Sequence, residues 1–206
     1  HYFEMNIGVE FMFVRRESFY QFIRMYPLVT SILALNTIVF LLVNLPFIPS
    51  NYIITSMLGI NLYIKEGELW RLITPIFLHS SFTHFLFNTF TIIIFGPAVE
   101  LLLKPLRFSL FYLLCGVAGN IITYMVKPLT YSHLGASGAI FGFLGFFVYC
   151  LFYRKYILTY QESQMIKALA IIALIMTFLQ TNINVTAHLT GFIIGFLITP
   201  LLLRKA

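Results

Sequence analysis

The chain has 206 residues, 60% of them hydrophobic and only 10% charged, with a mean hydropathy of +0.91. A water-soluble domain is about 25% charged and disorder needs low hydrophobicity, so both classes are excluded. The formal net charge of +6 does not point to nucleic acid, because the basic residues are scattered between apolar runs and form no block. What is left is a polytopic protein of the lipid bilayer, all-α, with room for six or seven spans at roughly 20 residues each.

The elements are predicted in chain order. Residues 1–11 carry little helical punctuation, and Met12-Phe-Val-Arg-Arg reads as a natural start. That reading makes 1–11 leader or expression-derived sequence. Residues 1–26 are then a short cytoplasmic segment ahead of one helical domain, 27–206. Pro27, a good helix-start residue, opens a first span over 28–48. A second span covers 81–103, a third 106–126 and a fourth 136–153. No charge occurs from Ala168 to Leu203, which is too long for one span. The polar cluster Gln180-Thr181-Asn182-Ile183-Asn184 divides it into a fifth, 165–180, and a sixth, 185–203. The connection 49–80 is out of scale with the others, and connections of that length are as a rule functional or disordered. This one contains Leu69-Trp70-Arg71-Leu72-Ile73-Thr74-Pro75-Ile76, a mixture suited to a segment at the membrane interface, with Trp70 and Arg71 as anchors.

Lys and Arg positions orient the bundle. Arg15, Arg16, Arg24, Lys104, Arg107, Arg154, Lys155, Lys167, Arg204 and Lys205 fall on one side, and Lys65, Arg71 and Lys127 on the other. The positive-inside rule then predicts six spans in the cell membrane with both termini cytoplasmic. Cys115 and Cys150 lie in apolar runs without metal-ligand spacing and are expected to be inert packing residues.

Ionisable and strongly polar residues within a bilayer are expensive and mark function by default. Here they are His84, Asn88, Glu100, Ser137 and His188. Each alone could be an interhelical hydrogen bond worth about 1 kcal/mol. Together they form a pattern. Gly138 and Gly142 share a face of the fourth span, and His188, Gly191 and Gly195 share a face of the sixth. Small-residue faces allow two helices to approach closely, which would bring Ser137 beside His188. A serine becomes a nucleophile when a base lies within about 3 Å. Residues 128–136 must then dip inward as irregular backbone, tolerated only when buried in protein or lining a wet cavity. His84 and Asn88, four apart on the second span, are candidate donors to a developing oxyanion. The chain has no aspartate, and Glu100 sits toward the cytoplasmic end, so a Ser137–His188 dyad is expected rather than a triad.

These residues resemble the rhomboid intramembrane serine proteases. The likeness rests on Trp70-Arg71, His79-x4-His84-x3-Asn88, Glu100, Gly135-x-Ser137-Gly138 and Ala187-His188-x2-Gly191-x3-Gly195, and covers about residues 27–203. It implies a six-transmembrane-helix rhomboid-like bundle of minimal form, with Ser137 as nucleophile and His188 as base. The oxyanion would be held by the side chains of His84 and Asn88 and the backbone N–H of Ser137. Where some members carry a tyrosine beneath the histidine, this chain has Phe141, which keeps the ring without the hydroxyl. His79, Gly135, Gly142 and the other motif positions are expected to be auxiliary. Substrates would be single-pass membrane proteins cut within or near their transmembrane helix, with no metal, cofactor or nucleic acid. Competing readings are an inactive rhomboid-like helix binder or chaperone, a small transporter lined by His84, Asn88 and His188, and a metal site on His79, His84 and His188. The last lacks an HExxH pattern.

Overall fold

The computed structural model describes residues 12–181 and 183–203; the expectations placed on residues 1–11 and on Arg204 and Lys205 lie outside the described residues. Helices dominate. Among the described residues they are α1 (Phe19–Met25), α2 (Pro27–Asn44), α3 (Ser50–Met57), α4 (Asn61–Lys65), α5 (Phe82–Leu103), α6 (Pro105–Val126), α7 (Ser137–Tyr153), α8 (Tyr160–Leu179) and α9 (Val185–Leu202). α2, α5, α6, α8 and α9 are long and apolar enough to cross a membrane. α7 is apolar but has 17 residues, about 25 Å of helix.

Two helix limits differ from the sequence expectation by more than one residue, each for a local reason. The first span ends at Asn44 rather than residue 48, because Leu45 precedes Pro46 and is forced to extended backbone, φ −75° and ψ 131°. The fifth begins at Tyr160 rather than near 165, because Thr159 and Glu162 form a capping box. The Thr159 hydroxyl oxygen accepts from the Glu162 N–H at 3.2 Å, and the Glu162 carboxylate accepts from the Thr159 N–H at 2.9 Å.

α7 occupies the centre of the bundle, packed on α6 and α9 and touching α5 and α8. Ten of its 17 residues are buried, as expected of a helix apolar all round. On the α6 side the contact is aromatic: the Phe143 ring stacks on Phe108 at 5.8 Å and on Phe111 at 6.3 Å. On the α9 side it is backbone against backbone. A Cβ on Gly191 would lie 1.9 Å from the Gly138 carbonyl oxygen, and one on Gly195 would lie 2.3 Å from that of Gly142. Gly145 extends the same seam, since its Cβ would meet the Phe192 carbonyl oxygen at 2.1 Å. The sequence reading missed Gly145. It also gave Gly142 to the partner face alone, whereas the missing Cβ of Gly142 points at Cys115 of α6, 2.5 Å from Sγ. Cys115 and Cys150 are free and buried.

The long connection is a compact, hydrogen-bonded block rather than a single interfacial segment. α3 ends with unpaired carbonyls, as any helix does, and the next residues take them up. Arg71 Nη1 donates to Thr55 O at 2.5 Å and Leu58 O at 2.7 Å, Trp70 Nε1 to Ser56 O at 3.2 Å, and Thr74 Oγ1 to Met57 O at 2.8 Å. Arg71 is 5% exposed and pairs with Glu68 at 2.6 Å, whereas Trp70 is half exposed. This arginine is a buried C-terminal cap of α3.

Glu100 performs the opposite service at a helix start. Its carboxylate accepts from the Leu28 N–H at 3.0 Å and the Val29 N–H at 2.8 Å, two of the orphan amides in the first turn of α2. An anion there also suits the helix dipole. Upstream, Phe13 inserts edge-on between Phe95 of α5 and Phe147 of α7, at 5.2 and 5.0 Å, and the Met12 N–H donates to Glu162.

Candidate active site

Ser137 is the first residue of α7, and the backbone leading into it is irregular. Its polar groups are met by the block between α2 and α5. Ser132–His133 pairs antiparallel with Gly59–Ile60, in the register Gly59 to His133. The Asn61 and Leu62 N–H groups donate to Tyr131 O and Leu129 O at 3.1 and 2.9 Å, and the Asn61 side-chain amide to Lys127 O and Pro128 O. Gly135 N–H donates to Pro75 O at 2.8 Å. These bonds satisfy the backbone of a segment that has no helix of its own. Gly135 has φ +117°, a region that only glycine enters cheaply, and it turns the chain into the helix.

The absent side chain of Gly135 is also where His84 sits. A Cβ there would lie 2.7 Å from His84 Cε1 and 2.8 Å from Nε2, and 3.7 Å from Ser137 Oγ. His84 is held on α5 from its other nitrogen, with Ser80 Oγ 3.2 Å from Nδ1, while Ser81 caps the helix through the His84 N–H at 3.1 Å. Its Nε2 edge therefore faces Gly135 and Ser137. Asn88, one turn on, is buried, and its Nδ2 has no hydrogen-bond partner among the described residues.

His188 stands in the first turn of α9. Asn184 caps that helix, accepting from the Ala187 N–H at 3.1 Å, and its amide donates to Thr123 Oγ1 of α6 at 3.0 Å. The imidazole stacks on Phe141, with ring centroids 4.1 Å apart and planes at 19°. Phe141 follows Ser137 by one turn of α7, so the serine and the histidine's platform share a helix face. The Nδ1 of His188 lies 3.0 Å from Thr177 Oγ1 of α8. Among the described hydrogen bonds none joins Ser137 to His188.

Ser137, His188, His84 and Asn88 line one cavity of about 740 Å³. Its remaining wall is largely apolar, with Phe87, Thr91 and Phe95 of α5 facing Leu169, Ile172, Ala173 and Met176 of α8. A smaller cavity of about 230 Å³, its wall mixed polar and apolar, shares Ser80, His84, Leu134 and Asn184 with it and adds Leu58, Tyr131, Ser132 and His133. The structure thus brings the four central sequence candidates together, with Gly135, Gly138 and Phe141 beside them.

His79 is close but apart. Its ring lies edge-on to His84 at 5.2 Å, and burial, then the neighbouring His84, pushes its pKa down to about 4. Burial likewise holds the His133 imidazole at about 4, its ring lying over Gly59. Both are neutral near pH 7 and serve as packed rings. Among the described residues no group of three or more His, Cys, Asp or Glu side chains is arranged to hold a metal ion, so His79, His84 and His188 make no shared donor set. Trp70, Arg71 and Glu100 lie outside the cavity lining. The sequence reading missed Thr177, Ser80 and Asn184. Asn184 carried an N-cap signal; Thr177 carried none, being one hydroxyl in an apolar helix.

A chain that gathers Ser137, His188, His84 and Asn88 around one cavity has recognisable kin. Residues 66–205 match the Rhomboid domain family. The chain is 45% identical over 194 residues to the protein of Bacillus subtilis (strain 168) named "Putative rhomboid protease YdcA", covering 94% of this chain and 98% of that one. It is 38% identical over 128 residues to "Rhomboid protease GluP" of the same strain, covering 62% of this chain but 25% of that protein. It is 35% identical over 104 residues to "Rhomboid-like protease 1" of Toxoplasma gondii, covering 50% and 35%. The chain thus spans nearly all of the first relative and only a quarter to a third of the other two. With the domain match over most of its length and several membrane-crossing helices, the chain belongs to the rhomboid family of multi-pass membrane proteins.

Proposed function

We propose that this protein is a serine endopeptidase that cuts single-pass membrane proteins within or near their transmembrane helix, using Ser137 and His188. One observation carries the reading: Ser137, His188, His84 and Asn88, from three different helices, line one cavity bounded by apolar walls of α5 and α8. Ser137 Oγ attacks the scissile carbonyl while His188 Nε2 takes its proton. The oxyanion is received by His84 Nε2–H, Asn88 Nδ2–H and the Ser137 N–H, the last being an amide at a helix start with no carbonyl one turn back. His188 returns the proton to the leaving amine, and water from the smaller cavity hydrolyses the acyl-enzyme. The apolar wall between α5 and α8 suits a substrate helix that partly unwinds to present its peptide bond. The same reading puts the protein in the cell membrane with six spans, α7 as the fourth, and both termini in the cytoplasm.

A second reading, a relative that binds helices without cutting them, has a specific support: among the described residues no hydrogen bond joins Ser137 to His188. Such bonds often tighten only with substrate, so cleavage itself must decide. Purified full-length protein, reconstituted with a single-pass test substrate, is expected to produce one cut, and Ser137→Ala none. A serine-directed phosphonate or isocoumarin is expected to label Ser137, and not in His188→Ala. Binding of the substrate without cleavage, and no labelling of Ser137, would establish the binder instead. Activity lost to a chelator and restored by zinc would favour the metal reading.

A further inference from the structure

The surroundings of His188 include one polar group from α8. Thr177 lies in the last turn of that helix and is 1% exposed; His188 is 7% exposed. Thr177 Oγ1 is 2.8 Å from the Ala173 carbonyl oxygen, to which it donates, and 3.0 Å from His188 Nδ1. A hydroxyl has one proton and two lone pairs. With the proton committed to Ala173, only a lone pair faces the imidazole, so Nδ1 must supply the hydrogen. A neutral imidazole has a single N–H. Carried on Nδ1, it leaves Nε2 as the bare acceptor, the state in which a base can take a proton from serine. Among the described residues the two buried carboxylates are engaged elsewhere, Glu100 at the start of α2 and Glu162 in the cap of α8.

We propose that Thr177 is a positioning residue for His188, holding it in the Nδ1–H tautomer and in one in-plane orientation. The proposal rests on the reading of Ser137 as nucleophile and His188 as base. Phe141 fixes the plane of the ring by stacking, but a stack leaves the ring free to turn within that plane. The hydrogen bond to Thr177 removes that freedom. When His188 takes the serine proton, the same bond comes from an imidazolium and strengthens, so its effect belongs to the transition state. Thr177 rides on α8, the wall opposite α5, and the orientation of the base therefore depends on α8 being seated against α9.

The test uses the full chain in detergent with a single-pass test substrate. Thr177→Val keeps the shape and removes the hydroxyl. It is expected to lower kcat by about 10- to 100-fold, the range for one hydrogen bond to a group that gains charge, with KM within about twofold. Thr177→Ser keeps the hydroxyl and is expected to recover most of the rate. Histidine-selective ¹⁵N spectra should show His188 with its hydrogen on Nδ1 in the parent chain and a mixed population in Thr177→Val. An unchanged kcat in Thr177→Val overturns the proposal. So does an equal loss in the Val and Ser variants with an equal fall in Tm, which is the pattern of packing alone. A parent spectrum with the hydrogen on Nε2 overturns it as well. A parent chain that cuts nothing yet shows Nδ1–H removes the protease reading while supporting the contact, so the two failures are distinguishable.

Discussion

Asn88 buries an amide whose Nδ2 has no partner among the described residues, a situation that costs about 1–3 kcal/mol. Such a cost is sustained where the donor has work in a transition state, because an oxyanion exists only there. Removing one donor of this kind typically costs about 10²–10³ in kcat and leaves ground-state binding nearly unchanged. Asn88→Ala is expected to lower kcat by about that factor with KM barely altered, and the double variant with His84→Ala to be worse than either. Because the His84 Nε2 edge faces the same place, the two donors partly substitute for each other. Kinetics and Tm measured on one purified sample separate the roles. A destabilised but fully active Asn88→Ala would reduce the residue to an interhelical contact.

Helix pairs in a bilayer gain nothing from water exclusion, so α7 and α9 associate through close backbone packing. That makes the seam of Gly138, Gly142 and Gly145 against Gly191, Phe192 and Gly195 the feature that sets the distance between Ser137 and His188. Overpacking a core costs about 1–3 kcal/mol when side chains can shift, and here the obstructing atom is a backbone carbonyl. Gly191→Ala is expected to reach or exceed the top of that range, measured by thermal unfolding in detergent, and to lose activity even in the folded fraction because the two helices part. Gly67→Ala is the informative contrast. Gly67 has φ +105° but open space around its Cβ, so it carries backbone strain alone, and its cleavage rate is expected to stay near that of the parent chain. An active, stable Gly191→Ala would show that the seam can yield, and the dyad distance would need another cause.

Seen whole, the molecule has a rigid centre, α6, α7 and α9, and a peripheral helix, α8, the least buried of the long apolar ones. The cavity is lined by side chains of both α5 and α8. For the substrates proposed above, helices that stay in the bilayer, a cavity walled by α5 and α8 would offer a lateral path to Ser137. The proposed orientation rests on charge in the sequence: ten basic residues fall on one side of the expected spans against three on the other, two of the three, Lys65 and Arg71, lying in the block of α3, α4 and the Trp70–Arg71 turn. Cysteines placed at Asn51 and Arg107 are therefore expected to differ in labelling by an impermeant reagent added to intact cells, with Asn51 reacting. Equal labelling at both would sink the six-span topology.

What the sequence determined by itself was much of what depends on near neighbours, although the Thr159–Glu162 capping box and the stop at Leu45–Pro46, both local, went unread. Composition and the spacing of apolar runs placed the helices, and the polar break at 180–184 separated α8 from α9. The i, i+4 rule put His84 with Asn88 and Ser137 with Phe141 on common faces, and the oddity of ionisable residues in apolar helices picked out His188. The tertiary structure decided what depends on pairs far apart in the chain. Arg71 and Trp70 became caps for α3 because that helix end lies above them. Glu100 became the anion at the start of α2 because two helices cross there. Thr177 came to face His188 because α8 folds back beside α9. A helix face can be read from period alone, but which atom of another helix it meets is set by packing, and for a single hydroxyl among apolar residues no local pattern records the partner.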